Sequence, residues 1–152
     1  MLREISPLVL AQRFAGLAET PGAVSNPAVL AMLQLVDRSV QDDETPWCSA
    51  FVNYVAWLLD APRSKSLAAR SWLRVGMPVP LHEARPGADV VVFTRGANAP
   101  GPSVILAPGH VAFFVELLHA PERVRVFGGN QGDRVGFAIF PVERVLDVRR
   151  LA

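Results

Sequence analysis

Two residues in this chain could carry covalent chemistry, and they stand far apart. Cys48 is the only cysteine and lies in Thr45-Pro46-Trp47-Cys48-Ser49-Ala50-Phe51. His110 follows sixty-two positions later (110 − 48), within Gly109-His110-Val111. A thiol is a strong nucleophile only as the thiolate, and an imidazole within reach can take its proton. A lone cysteine with a distant histidine therefore points to a cysteine hydrolase.

Both residues fall where such chemistry needs rigid support. Thr45 reads as a helix N-cap and Pro46 as the first helical residue, where no N–H bond is lost. Cys48 would then sit in the first turn, among free backbone N–H groups at the positive end of the helix dipole. That setting favours thiolate. Asp42-Asp43-Glu44 just upstream would oppose it if those side chains faced the sulfur. The helix is expected to run to about Leu59, burying Phe51, Val55, Leu58 and Leu59.

His110 opens an alternating strand. Val111, Phe113 and Val115 are expected on one face, and His110, Ala112, Phe114 and Glu116 on the other. The following strand, Arg123 to Phe127, runs into Gly128-Gly129-Asn130-Gln131. A hairpin turn centred near residues 120 and 121 makes paired positions sum to about 241. An amide side chain then lies across from the imidazole. Asn130 is the preferred orienting residue and Gln131 the second choice. Glu116 shares the face of His110 but lies six residues along, roughly 20 Å away at ~3.3 Å per residue.

Each residue alone has a plainer reading. A single cysteine is more often a small core hydrophobe. Gly128-Gly129-Asn130 could serve only as a turn. Trp47 and Trp72 are more often core than substrate platform. His82 and His119 fall in expected loops and read as solvent-facing. The joint placement of helix-start thiol, strand-start imidazole and cross-strand amide favours catalysis. The expected catalytic set is Cys48, His110 and Asn130. Trp47, Ser49 and Gln131, beside them in sequence, are the candidate substrate contacts.

The rest of the chain frames that site. At 152 residues, with 51% hydrophobic and 19% charged, it suits one folded domain over residues 1–152 rather than a disordered chain. Helices are expected from residue 7 to about 19, from Ala28 to about Asp37 after Asn26-Pro27, and from Leu67 to about Val75. Strand-length runs begin at Asp89, His110, Arg123, Gly136 and Val145. Helices first and strands afterwards argue for an α+β fold, N-terminal helices packed on a C-terminal antiparallel sheet. The loop from Arg95 to Pro108 is expected to border the site.

Charge and composition exclude several classes. The net charge is +1, and fourteen of the fifteen basic residues are arginines, scattered apart from Arg149-Arg150, Lys65 being the one lysine. No basic patch calls for nucleic acid. One cysteine precludes an internal disulfide and a multi-cysteine zinc site, and no cofactor is expected. The start, Met1 to Pro7, lacks a secretory signal pattern, and no apolar run is long enough to span a membrane.

The segments Glu44-Thr45-Pro46-Trp47-Cys48-Ser49-Ala50-Phe51-Val52-Asn53, Ala69-Arg70-Ser71-Trp72-Leu73, Gly87-Ala88-Asp89-Val90-Val91-Val92-Phe93, Gly109-His110-Val111 and Gly128-Gly129-Asn130-Gln131 together resemble a family. Helix-borne cysteine followed by sheet-borne histidine and a third polar residue is the order of the papain-like cysteine peptidases. The closer resemblance is to their compact bacterial branch, the NlpC-type and CHAP (cysteine, histidine-dependent amidohydrolase/peptidase) domains, and within it to small phage and bacterial proteins. It covers most of the chain from about residue 19.

The resemblance implies hydrolysis of an amide bond in or next to the peptidoglycan stem peptide. Cys48 matches the nucleophile, His110 the base and Asn130 the third residue. Many NlpC-type enzymes carry Asp before the cysteine and His in third place; Trp47 and Asn130 stand there in this chain, closer to the CHAP pattern. The implied roles are a phage-type lysin or an interbacterial effector toxin, with an immunity protein or a secretion-system component as partner. Such a protein would be made in the cytoplasm and act in the periplasm or wall after non-classical delivery. The alternatives are a cysteine hydrolase of a cytosolic protein or peptide amide, and a non-enzymatic wall-binding relative.

Overall fold

The computed structural model describes residues 4–22, 24–119 and 121–151. The hairpin centre placed at residue 120 and the first three residues of the chain lie outside them. Helices α1 (Pro7–Gln12), α2 (Pro27–Val36) and α3 (Cys48–Leu58) come first, followed by a 3-10 helix, Ala69–Arg74. The strands are β1 (Met77–Val79), β2 (Asp89–Thr94), β3 (Gly109–Leu118), β4 (Arg123–Gly128), β5 (Gly136–Pro141) and β6 (Val145–Arg150). They form one antiparallel sheet in the order β1-β6-β2-β3-β4-β5. The α+β class and the helices-then-sheet order agree with the sequence pattern. No described helix is long and apolar enough to cross a membrane.

The sheet alternation works as the period of two requires. Val90, Val92, Val111, Phe113 and Phe127 pack against Phe51, Val52 and Val55 of α3. Val91, Phe93, Ala112, Phe114 and Val126 form a second cluster on the other face. The β3–β4 ladder pairs Phe113 with Phe127 and Leu118 with Arg123, within a residue of the expected register. A bulge between Phe114 and Glu116 resets the faces. Val115 accordingly packs with the helices but Leu117 with the opposite cluster.

Three local expectations are corrected. The first helix stops at Gln12 instead of continuing to 19. Gly16 turns there with φ +86°, its N–H donates to Val135 O, and Ala18 bridges Arg134. That segment is thus taken up by the β4–β5 connection. α3 opens at Cys48 and not at Pro46, because the Thr45 backbone N–H is held by Asp42 Oδ1 in a turn. The Leu67–Val75 helix is the shorter 3-10 helix. β1 has no sequence counterpart: three residues with a central Pro are too short for a period, and edge pairing to β6 makes the strand.

Candidate active site

Cys48 is the first residue of α3 and is 4% exposed. Its N-cap, Trp47, makes no side-chain cap bond. The first helical hydrogen bond runs from Phe51 N–H to Trp47 O. The N–H groups of Val111, Ser49 and Cys48 itself act on the sulfur, as does the Arg95 guanidinium, and all favour thiolate. Burial is the larger effect and pushes the thiol above its ordinary range. The expectation of a ready thiolate is therefore corrected: the helix start supplies the donors, but the core removes the water. The acidic turn is directed elsewhere. Asp43 is buried and accepts the N–H groups of Asn26 (2.7 Å) and Thr20 (2.9 Å).

Cys48 packs in the helix-side core cluster with Val111, which places the thiol near the start of β3, one residue past His110. His110 is 6% exposed and packs against the touching pair Phe93 (ring centroids 6.2 Å from the imidazole) and Phe140 (5.4 Å). Its Nε2 lies 2.9 Å from Gln131 Oε1. The Gln131 NH₂ donates to Gly136 O (2.5 Å), which can only accept. The amide is thereby oriented with Oε1 toward the ring. An oxygen acceptor requires the proton on Nε2, so Nδ1 is the unprotonated nitrogen of the neutral imidazole. Desolvation lowers the His110 pKa to about 4, with Arg95 and Arg144 adding to the fall and Gln131 opposing it. No hydrogen bond joins Cys48 to His110 among the described residues. The resting pair is neutral thiol and neutral imidazole.

The orienting amide is thus Gln131, the second choice, and not Asn130. The reason is the turn after β4. Asn130 takes a left-handed conformation (φ +55°), and Gln131 N–H then donates to Arg134 O. This turn brings residue 131, and not its neighbour, onto the imidazole. Asn130 lines the cleft beside it. The two preceding glycines serve packing: a Cβ on Gly129 would stand 2.6 Å from Phe51 Cβ, and one on Gly128 would stand 2.8 Å from Ala112 Cβ. The β4 terminus can approach β3 at Gly128 and α3 at Gly129 only without side chains.

Two proposed substrate contacts are corrected. Trp47 is fully buried, its Nε1–H donating to Glu19 Oε1 (2.8 Å). Ser49 is fully buried too; its hydroxyl donates to Ser66 O (2.6 Å) and accepts from Trp72 Nε1 (2.9 Å). Both hold α3 to its neighbours and neither can reach a ligand. Gln131 lines the cleft and has the reach. Glu116 pairs with Arg125 (3.4 Å), and His82 and His119 are exposed.

A cleft of about 430 Å³ opens beside His110 and Gln131, with Arg95, Phe140 and Arg144 on its walls. Arg95 opens the loop expected to border the site and is its one residue on the cleft among those described, whereas Phe140 and Arg144 were not among the sequence candidates. Arg95 follows β2 directly and Arg144 lies between β5 and β6, so only the sheet order brings them to His110. The Arg95–Pro108 loop is secured from beneath by the fully buried Arg70, which donates to the carbonyls of Pro100 (2.9 Å), Gly101 (2.7 Å) and Pro108 (3.2 Å).

Comparison with protein-family models, curated proteins and solved structures finds no match to this chain.

Proposed function

We propose that the protein is a cysteine peptidase or amidase of the NlpC/CHAP type, cleaving an amide bond in or next to the peptidoglycan stem peptide. The observation that carries this reading is the meeting of α3 and β3. The sole thiol opens α3 and packs in one core cluster with Val111 of β3, next in sequence to His110, whose Nε2 is held by Gln131.

In the mechanism, His110 Nδ1 removes the Cys48 proton as the sulfur attacks the substrate carbonyl carbon. A preformed ion pair is not required, because both groups rest neutral. The backbone N–H of Cys48 at the helix start is the natural donor to the oxyanion. The tetrahedral adduct collapses, the C–N bond breaks, and the imidazolium gives its proton to the departing amine. Water then attacks the thioester, His110 takes one of its protons, and the carboxylic acid leaves as the thiol is restored. Gln131 holds the ring through Nε2 and leaves Nδ1 free to take and return the proton. The roles of a phage-type lysin or an interbacterial effector follow if the substrate is wall.

Expression in a Gram-negative host, with and without an added periplasmic signal peptide, tests the reading. Lysis only with the signal, and lost in Cys48→Ala, is the expected result. Equal or greater toxicity in the cytosol would overturn the wall substrate and favour a cytosolic amide.

A further inference from the structure

The cleft beside His110 is cationic and carries no acid. Arg95 and Arg144 both line it, and no carboxylate does among the described residues. Arg95 is exposed and makes neither a hydrogen bond nor an ion pair among the described residues. Arg144 is preorganised. Its Nε (3.2 Å) and Nη2 (2.9 Å) donate to Thr94 O, and its guanidinium lies over the Phe140 ring, 4.8 Å from the centroid. Its Nη1 is left without a hydrogen-bond partner among the described residues.

Two guanidiniums beside a catalytic base are costly for the apo protein, because like charge disfavours the imidazolium that the reaction must form. Both act on His110 in that direction. The arrangement makes chemical sense if an anion completes it. A planar carboxylate matches the guanidinium fork, and the stacked, half-tethered Arg144 loses little freedom on binding one.

We infer that this cleft binds a carboxylate of the substrate, with Arg95 and Arg144 as its specificity-determining residues. The inference rests on the amide-hydrolase reading above for the identity of the bound molecule as substrate. The bound carboxylate offsets the two cations and favours the imidazolium formed as Cys48 loses its proton. An acidic peptide is thus selected by binding and also assists its own cleavage.

The test titrates the intact protein with N-acetylglutamate, with its neutral diamide and with inorganic phosphate, following the His110 ring protons by NMR. N-acetylglutamate should bind, raise the His110 pKa, and outcompete the diamide and phosphate. Arg95→Ala removes no internal bond and should weaken this binding roughly tenfold. Arg144→Gln should do the same, with Arg144→Lys restoring part of it. Equal binding of acid and diamide, tighter binding of phosphate, or unchanged affinity in Arg95→Ala and Arg144→Gln would overturn the inference. Iodoacetamide labelling of Cys48 in the same samples reports on the nucleophile separately. A carboxylate site in a protein whose Cys48 stays unlabelled and that leaves sacculi uncut would remove the hydrolase reading and leave the anion site standing.

Discussion

Gln131 Oε1 accepts a hydrogen bond from His110 Nε2 at 2.9 Å, and Gly136 O fixes the amide from behind. The neighbouring Asn130 has no such contact. Gln131→Ala should therefore lower turnover by roughly 10- to 100-fold, since a misaimed base loses near-attack geometry. Asn130→Gly keeps the left-handed turn and should change turnover little. Steady-state rates on folded variants check this ranking. A severe Asn130→Gly with a mild Gln131→Ala would reverse the assignment.

The buried imidazole sets a pH response. His110 titrates near 6.5 when unfolded and at about 4 in the fold. Between those values the unfolded chain binds the extra proton, so acid favours unfolding. The stability held by the neutral imidazole is complete above pH 6.5 and declines as pH falls toward 4, by roughly 3 kcal/mol. His110→Gln should flatten that part of the Tm-against-pH curve relative to wild type. The acid limb of the rate profile should lie near pH 4. A limb near 6.5 would mean that the imidazole is hydrated.

Ser49 is a structural hydroxyl. Ser49→Ala leaves the Trp72 N–H without its buried acceptor and should cost about 1–3 kcal/mol. Thermal melts would show the loss, whereas alkylation of Cys48 should proceed as in wild type. A stable Ser49→Ala with altered substrate range would restore Ser49 as a binding residue.

Gly129 is a packing glycine. Gly129→Ala sets a methyl group 2.6 Å from Phe51 Cβ and 2.9 Å from Trp47 Cζ3. Neither neighbour is free to move, so overpacking of about 1–3 kcal/mol is expected. Chemical denaturation measures it. Gly132, whose Cβ would meet nothing, has φ +64°, so Gly132→Asn should be far milder.

The sequence carried the elements well and their encounters poorly. The strands from Asp89, Arg123, Gly136 and Val145 and the register of β3 on β4 followed from alternation and turn chemistry. Helix-start Cys48 and strand-start His110 were legible for the same reason. Burial was not. Trp47 and Ser49 look reachable in a helix-start motif, and only the packing of α3 on the sheet encloses them, leaving Cys48 4% exposed. The choice of Gln131 over Asn130 turned on one residue in a left-handed conformation. Arg95 was named only as the start of a loop beside the site, and Arg144 carried no local signal, because β6 inserts between β1 and β2 and brings distant loops to one end of the sheet.

The central claim is that Cys48 and His110 hydrolyse an amide bond of the wall. Purified protein incubated with intact sacculi, followed by mass spectrometry of the released fragments, measures this directly. Wild type should generate one class of new amine and carboxyl ends, absent with Cys48→Ala and with His110→Ala. Sacculi left unchanged by folded wild type, or cut equally by folded Cys48→Ala, would contradict it.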